Sequence, residues 1–390
     1  MALKKKRIRF IIIIIIFFIY FLAAARPVPR EIMLNPEWLS PLDAFSINTN
    51  TDSPENISDN GGIYEPVLQI MSDNLLPFSL GARFGFVDSS GNFALNRIKA
   101  HDIYLSRNMW TEYTAEPENI VINNILNGTE INIENAGGYP VLLDDRIFIF
   151  GSDQNSLSAI NDSGNIEWTY DFGAPLTAID AASGLIVTGS LDGVIEVFNS
   201  GGERIYIFEP GGSRYSIILG CAISRNGLYI GIICGIDQQR FLLLERTGNN
   251  GDYMVIYHEF LEAGFRRPAR VLFIDGDQRV IYERTEGIGC YSIKTRRAVT
   301  IPLDGGIAAI DESGENGILF LITSHADNLK KLTGIRFPQE KFFEFPGMTA
   351  QNNIFMKASF KSNDVFLRRA DSMLVIGGGT SLISFRLSEK

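Results

Sequence analysis

Short runs of alternating apolar and polar residues, separated by small polar turns, extend from about residue 80 to the C-terminus. Alternation with a period of two is typical of β-strands with one buried face, and glycine turns between such runs are typical of hairpins. No segment between residues 80 and 390 shows the periodicity of an amphipathic helix. The pattern therefore predicts an all-β domain over residues 80–390.

One stretch of this pattern is repeated along the chain. Residues 151–161 align without a gap with residues 189–199, 38 positions later, and Trp168 then aligns with Tyr206. Each copy has an apolar strand, a Gly-Ser turn, an alternating strand, a glycine turn and a further alternating strand. A period near 40 residues with about four strands per unit is typical of propeller blades. We therefore predict a single β-propeller of four-stranded antiparallel blades.

The number of blades comes from counting the strands in groups of four. The predicted blades span residues 80–136, 137–173, 174–213, 214–263, 264–303, 304–347 and 348–387. Each blade buries its apolar faces only against its neighbours, so closing the ring removes the two unprotected ends. The sequence therefore predicts seven blades, of which the first is the least regular.

The first 25 residues differ from the rest of the chain. Basic residues at positions 4–9 precede residues 10–25, which are apolar, uncharged and include six consecutive isoleucines. This length lies between a signal-peptide core and a full membrane span of ~20 residues. The basic flank should stay in the cytoplasm, so residues 26–390 are expected outside it. We predict a membrane anchor or signal segment over residues 1–25; Ala23, Ala24 and Ala25 offer a cleavage site, and a retained anchor is favoured.

Residues 26–79 are predicted to form a linker that is partly disordered. Pro27 and Pro29 favour an extended chain, and the polar residues 48–62 have almost nothing to bury. Residues 63–79 are apolar again and are expected to pack on the adjoining propeller.

Composition and charge narrow the possible partners. Five of the 35 basic residues and none of the 45 acidic ones lie in the first 25 positions, so the rest of the chain is more acidic than the net charge of -10 suggests. An acidic body repels phosphates, and we expect no nucleic-acid partner. The three cysteines Cys221, Cys234 and Cys290 lie in apolar runs and are expected to be buried thiols.

The most regular copy of the unit has further features in common with a known family. Residues 147–153 end in Gly151-Ser152-Asp153, residues 157–160 read Leu-Ser-Ala-Ile, and Trp168 lies four positions after Gly164. This order resembles the quinoprotein-like (PQQ-like) branch of the β-propellers, which are relatives of the WD40 type. The resemblance implies that Trp168 packs one blade on the next, with Tyr206 in the equivalent place.

The same resemblance leaves catalysis open, because the family includes both quinone-dependent dehydrogenases and non-catalytic scaffolds such as the outer-membrane-assembly lipoprotein. Quinone-binding members, as the resemblance implies, use a stacking tryptophan, adjacent cysteines and a Ca²⁺ site, and this chain has no adjacent cysteine pair. No metal-ligand, nucleophile-elbow or phosphate-loop motif is present in the sequence either. We predict no catalytic residue, no metal site and no cofactor.

Two sets of candidate binding residues come from local composition and from position in a blade. Arg266, Arg267 and Arg270 come after Phe265 between the fourth and fifth predicted blades, and arginine beside an aromatic ring is typical of interface anchors. The alternative is a solvated loop whose arginines pair with nearby acids. His325 is predicted to lie between the second and third strands of a blade, on the face where propellers usually bind ligands.

These observations favour a non-catalytic protein-interaction scaffold in the cell envelope. The N-terminal segment would hold the propeller outside the cytoplasmic membrane, on the periplasmic side, and the partner would be another envelope protein. The alternative is a propeller enzyme, either a hydrolase or lyase or a degenerate quinoprotein, with its active site at the mouth of the channel. Acids, histidines or arginines that converge at that mouth with perturbed pKa values would favour the enzyme.

Overall fold

A computed structural model describes residues 13–18, 31–45, 75–248, 251–262, 264–337 and 354–389. Residues 13–18 are helical, and none of the helices within these ranges has the length and hydropathy needed to span a bilayer. The basic residues 4–9, most of the apolar segment and the polar residues 48–62 lie outside the described ranges. The anchor or signal segment therefore stays a prediction.

The described strands form eight antiparallel sheets, which are the blades of a propeller. Blade 1 has three described strands, which take the places of the second, third and fourth strands of a blade and are β2 (Leu76–Leu80), β3 (Arg83–Val87) and β4 (Phe93–Ile98). Blade 2 has four, which are β5 (Asp102–Leu105), β6 (Met109–Tyr113), β7 (Ile120–Asn124) and β8 (Glu130–Ile133). Blade 3 has β9 (Gly138–Leu143), β10 (Arg146–Gly151), β11 (Ser156–Ile160) and β12 (Ile166–Asp171). Blade 4 has β13 (Leu176–Ala182), β14 (Leu185–Ser190), β15 (Ile195–Asn199) and β16 (Arg204–Phe208).

The next three blades have the same order of strands. Blade 5 has β17 (Ile218–Ile223), β18 (Tyr229–Cys234), β19 (Arg240–Thr247) and β20 (Asp252–Phe260). Blade 6 has β21 (Val271–Ile274), β22 (Arg279–Arg284), β23 (Gly287–Ser292) and β24 (Arg297–Pro302). Blade 7 has β25 (Gly306–Ile310), β26 (Ile318–Ser324), β27 (Leu329–Arg336) and β28 (Ile354–Lys361).

Blade 8 joins the two ends of the chain. Its strands are β29 (Val365–Ala370), β30 (Met373–Gly378), β31 (Ser381–Glu389) and, outermost, β1 (Ile32–Pro41). Short 3-10 helices cover Leu42–Phe45, Glu315–Gly317 and Ala326–Asn328. The ring is closed where β2 of blade 1 contacts β29 of blade 8.

A meander of four antiparallel strands places its turns alternately on two faces of the ring. The hairpin face carries the turns between first and second strands and between third and fourth strands. The connection face carries the turns between second and third strands, together with the links from one blade to the next. Several of these links and turns meet on the connection face, where one cavity is lined by residues of both kinds.

The third turn of three blades is fixed by one side chain and one glycine. In blade 3, Asn161 Oδ1 accepts hydrogen bonds from two backbone N–H groups of its own turn, at 2.9 and 3.0 Å, and Gly164 has a φ of +80°. Asn199 with Gly202 and Asp88 with Gly91 repeat this arrangement in blades 4 and 1. An Asx side chain that bonds its own backbone favours such a turn, and glycine permits the positive φ.

The core is divided among the blade interfaces. The described buried residues form eight apolar clusters, and each cluster combines residues of two neighbouring blades, including blades 8 and 1. Within a blade, inner strands such as β14 and β22 are buried throughout, whereas outer strands such as β24 are largely exposed. Stability therefore comes mainly from contacts between neighbouring blades.

The prediction of four-stranded propeller blades is confirmed, but the prediction of seven blades is wrong. Residues 80–136, predicted as one blade, contain parts of two sheets, because β5 and β8 have only four residues each and show too weak an alternation to separate them. At the other end, Ile354–Lys361 is predicted in the last blade and instead forms the outer strand of blade 7.

The linker predicted over residues 26–79 includes a strand of the ring. Ile32–Pro41 pairs antiparallel with β31, with Ile32 opposite Glu389 and Pro41 opposite Ser381. Leu76–Leu80 also lies before the predicted boundary at residue 80. The prolines at positions 36 and 41 are compatible with a linker, but the outer strand of a blade needs hydrogen-bond partners on one side only and so tolerates proline.

Candidate interaction surface

The link between blades 4 and 5, residues 209–217, exposes an aromatic side chain on the connection face. Tyr215 is 53% exposed, and the Arg214 guanidinium lies 5.6 Å from the centre of its ring. Leu191, in the β14–β15 turn, is 46% exposed. That turn contacts the link directly, because the Ser216 hydroxyl donates a hydrogen bond to the Asp192 carbonyl oxygen at 3.1 Å. We call Leu191, Arg214 and Tyr215 the Tyr215 patch.

The main chain beneath the Tyr215 patch is fixed by two side chains of blade 5. The Ser213 hydroxyl and the Arg214 N–H both donate to the Asp237 carboxylate, and the bond from Ser213 lowers the pKa of that carboxyl. The Arg240 guanidinium donates to two carbonyl oxygens of the link. These bonds hold the link in one conformation, so the exposed tyrosine is presented by an ordered segment.

The sequence contains a signal for this patch, although the residues predicted to bind a partner do not include it. Arg214 and Tyr215 lie shortly after a Pro-Gly-Gly turn, so an arginine lies beside an aromatic residue in a link between blades. That is the same signal that singles out Phe265 and the arginines after it.

The arginines of the link between blades 5 and 6 have different surroundings. Arg267 donates to both carboxylate oxygens of the buried Glu283, at 3.2 and 2.7 Å, and lies over the Phe265 ring at 4.5 Å. Arg270 turns toward the channel and donates to the Ile307 carbonyl oxygen at 2.8 Å. Arg266 is exposed, and within the described residues it makes no hydrogen bond or ion pair. Arg267 thus has the local acidic partner of the solvated-loop alternative, while a binding role for the three stays a prediction.

His325 lies in the turn between the second and third strands of blade 7, on the connection face. Its ring is half-buried, with Nε2 3.1 Å from the Thr323 hydroxyl. A Cβ on Gly305 would lie 3.0 Å from the imidazole, so the ring packs against the end of the link that leads into β25. Arg270 also contacts β25, but it bonds to a different residue from the one against which His325 packs. The ligand-binding role predicted for His325 stays a prediction.

Trp168 and Tyr206 lie between blades. The Trp168 ring lies 6.3 Å from Phe148 of its own blade and stacks on Phe198 of blade 4 at 6.5 Å. Its indole N–H donates to the Ser200 carbonyl oxygen at 3.0 Å. Tyr206 donates its hydroxyl to the Tyr253 carbonyl oxygen of blade 5 at 2.8 Å. The positions match the interblade packing that the resemblance implies, while the contribution of either residue to stability stays a prediction.

Trp38 makes the same contact where the ring closes, and sequence reasoning missed it. Its indole N–H donates to the Ser89 carbonyl oxygen at 3.0 Å, and a Cβ on Gly91 would lie 2.7 Å from its ring. Trp168 stands in the same relation to Ser200 and Gly202. The turn that contains Gly91 repeats the turn that contains Gly202, which was the available signal that an indole should lie on it.

A polar cavity of about 600 Å³ opens on the connection face where blades 7, 8 and 1 meet. The Asn328 amide donates to Asn363 at 2.7 Å, and the Ser362 hydroxyl accepts from the Gly379 N–H at 2.8 Å. Lys361 lines the same cavity and is exposed. The connection face therefore carries the Tyr215 patch on blades 4 and 5 and a cavity with mostly polar lining residues elsewhere on the ring.

The first strands line a central channel that contains charged groups. A cavity of about 270 Å³ in it is bordered by Arg270, Glu312, Arg368 and by apolar residues of β2 and β29. Arg368 and Glu312 form an ion pair. This part of the channel therefore has one ion pair, one arginine bonded to backbone carbonyl oxygens and apolar side chains between them.

Asp180 on β13 is the described carboxyl group whose pKa lies furthest from its ordinary value. Burial, and more weakly the negative charges of Asp144 and Glu312, raise its pKa to about 6. Its two oxygens accept backbone N–H groups of Ala181, at 2.9 Å, and of Ile223 in blade 5, at 2.8 Å. The carboxylate thus links two blades, and each of its oxygens has a partner.

No cluster of three or more histidine, cysteine, aspartate or glutamate side chains within the described ranges is arranged to hold a metal ion. Cys234 and Cys290 are buried and Cys221 is half-buried, and all three are free thiols. Burial raises the pKa of the Cys290 thiol to about 12, so it stays protonated at neutral pH.

Known proteins share this architecture. A family model described as "beta-propeller protein" matches residues 1–390. A relative from Treponema pallidum (strain Nichols), described as "Uncharacterized protein", is 25% identical over 251 residues, which cover 64% of this chain and 65% of the relative. This chain thus matches just under two thirds of that relative's length.

Two solved structures resemble the ring. The crystal structure of BamB from Moraxella catarrhalis matches with a TM-score of 0.53 and 11% identity, over 91% of this chain and 100% of BamB. A chain in the crystal structure of the mitotic checkpoint complex matches with a TM-score of 0.50 and 11% identity, over 71% of this chain and 86% of that chain. At this identity the two structures show a shared fold, and the β-propeller repeat protein expected from the sequence is confirmed.

Proposed function

The chain belongs to the β-propeller proteins, and from this premise we propose that it is a non-catalytic protein-interaction scaffold of the cell envelope. The propeller would lie outside the cytoplasmic membrane, held by residues 1–25, and bind another envelope protein through its connection face. The single observation that carries the proposal is the Tyr215 patch on its ordered link.

The Tyr215 patch has the chemistry of a binding anchor. Tyrosine and arginine are enriched among the residues that dominate binding free energies, and an apolar neighbour such as Leu191 supplies area to bury. A segment already fixed by Asp237 and Arg240 loses little conformational entropy when a partner binds. The patch therefore supports binding of a protein surface more than binding of a small molecule.

The envelope location is supported by the sequence of the first 25 residues. Basic residues at positions 4–9 before sixteen apolar ones favour export of the chain after residue 25, and the acidic remainder of the chain agrees with that direction. The connection face then meets the extracytoplasmic compartment, where the partner is an envelope protein.

The enzyme alternative would draw on Asp180, because a carboxyl with a pKa near 6 is suited to proton transfer near neutral pH. Both of its oxygens already accept backbone N–H groups, and burial explains the raised pKa without a reaction. The pattern favours a structural carboxylate, which supports the non-catalytic proposal.

Co-purification of the tagged full-length chain from detergent-solubilised membranes, with quantitative mass spectrometry, tests the proposal. Removing a hot-spot side chain costs about 2 kcal/mol or more in binding, or a loss of affinity of about thirtyfold. We expect Tyr215→Ala to lose a partner that the wild-type chain recovers. Ile166→Ala, at a residue 61% exposed on the outer strand of blade 3, is the matched control and should recover it. Equal recovery by both variants would contradict the proposed surface.

A further inference from the structure

The register of β1 fixes the face on which the N-terminal chain reaches the ring. Ile32 lies opposite Glu389 and Pro41 lies opposite Ser381. Ser381 comes directly after the β30–β31 turn, which belongs to the connection face, so Glu389 and Ile32 lie at the hairpin face. The chain before Ile32 therefore arrives at the hairpin face of blade 8.

The distance from the apolar segment to this point is limited by chain length. Six residues, 26–31, separate Ala25 from Ile32. Whatever their conformation, six residues span at most about 22 Å, since an extended chain advances no more than about 3.6 Å per residue. β1, along which the tether would have to run, has ten residues and spans about 30 Å from the hairpin face to the connection face. The tether is thus too short to let the chain pass around the rim and present the opposite face to the membrane.

Electrostatic attraction between the hairpin face and lipid headgroups does not provide another cause of a fixed orientation of the ring. The exposed charges in the described turns of the hairpin face are mixed, with Asp144, Asp145, Asp162, Glu203, Glu312 and Asp371 against Arg107, Arg225, Lys294 and Arg296. A surface without a basic cluster has little affinity for anionic lipid. Any fixed orientation at a membrane would therefore come from the tether.

From this geometry we propose that the hairpin face is turned toward the anchoring membrane and the connection face is turned away from it. The inference rests on the proposed function, because it requires residues 10–25 to be retained as an anchor. The Tyr215 patch then points into the aqueous compartment. Its partner is a water-soluble domain reached from that side, and not the lipid-embedded part of a neighbour in the same membrane.

Two positions at opposite ends of β30 test the orientation. Ser372 lies in the turn on the hairpin face and Thr380 in the turn on the connection face; both are exposed, and the hydrogen bonds described for both use only their backbone oxygens. The full chain carrying Ser372→Cys or Thr380→Cys is labelled with a donor dye and reconstituted in nanodiscs that contain a headgroup-labelled acceptor lipid. The parent chain, whose three cysteines are buried or half-buried, gives the background labelling.

We expect energy transfer to the lipid to be clearly higher from position 372 than from position 380, in neutral and in anionic nanodiscs alike. Inserting about twenty Gly-Ser residues after Arg30 should remove most of this difference, because a flexible linker of that length lets the ring turn. Equal or reversed transfer, or a difference that survives the insertion, would overturn the orientation while leaving the anchor in place. A chain that stays in the soluble fraction, with no transfer from either position, would overturn the anchor and this inference together.

Discussion

Replacing Trp38 by alanine should weaken the closure of the ring by an amount that the structure allows us to estimate. The indole is half-buried between β1 and the β3–β4 turn. A buried aromatic side chain covers about 200 Å², so about 100 Å² is lost here, or about 2.5 kcal/mol at 25 cal/mol per Å². The lost hydrogen bond to Ser89 adds about 1 kcal/mol. We expect Trp38→Ala to destabilise the pairing of β1 by about 3.5 kcal/mol.

Native-state hydrogen exchange measures this change where it occurs. The amides of β1 and β31 should exchange on the order of three hundredfold faster in Trp38→Ala, since every 1.4 kcal/mol is a factor of ten. Trp38→Phe keeps most of the packing and should lose only about 1 kcal/mol, the value of the hydrogen bond. Trp168→Ala is the matched control, because it removes the same contact inside the ring and should leave exchange in β1 nearly unchanged. Unchanged exchange in Trp38→Ala would refute the indole as the group that holds β1.

Two further predictions concern contacts between neighbouring blades. Gly91→Ala should lower the urea midpoint clearly more than Gly128→Ala, because both residues have positive φ but only a Cβ on Gly91 would meet an indole, at 2.7 Å from Trp38, while nothing lies within 4 Å of Gly128. Equal midpoints would contradict the close packing. For Asp180, the folded pKa of about 6 lies above the ordinary value of 3.8, so the folded state binds the proton more tightly. The wild-type urea midpoint, measured against Asp180→Asn, should therefore rise as the pH falls from 7 toward 4; a flat difference would contradict the raised pKa.

The sequence predicted the blades where strands and turns obey a local rule. The repeat of Trp168 at Tyr206 corresponds to equivalent positions on β12 and β16, because the intervening turns have the same length and the same Asx-and-glycine chemistry. Blades 3 and 4 were placed correctly for this reason, and the boundaries predicted for blades 5 and 6 also agree with the structure. Where strands are only four residues long, as in blade 2, period-two alternation has too few positions to be recognised.

The features that sequence reasoning missed depend on partners far away in the chain. In the sequence, Trp38 is one aromatic residue among prolines. Its role follows only from the pairing of its strand with the C-terminal strand, which nearby residues do not indicate. Tyr215 differs from any other loop tyrosine only because Asp237 and Arg240, more than twenty residues later, fix the link beneath it. Arg267 is the opposite case. The residues around it in the sequence suggested an interface anchor, but in the structure its guanidinium is paired with a buried glutamate.

The pairing of Ile32 with Glu389 has a consequence for the order of assembly. The two residues are more than 350 positions apart in the sequence, so the last blade cannot be completed until residue 389 has been synthesised. Joining ends separated by ~350 residues costs about 5 kcal/mol of loop-closure entropy in an unfolded chain, and far less once the intervening blades have folded. Ring closure should therefore be the final step of folding. Until then β31 presents an unpaired edge, which makes the open ring the species most prone to aggregate or to exchange strands with a second copy.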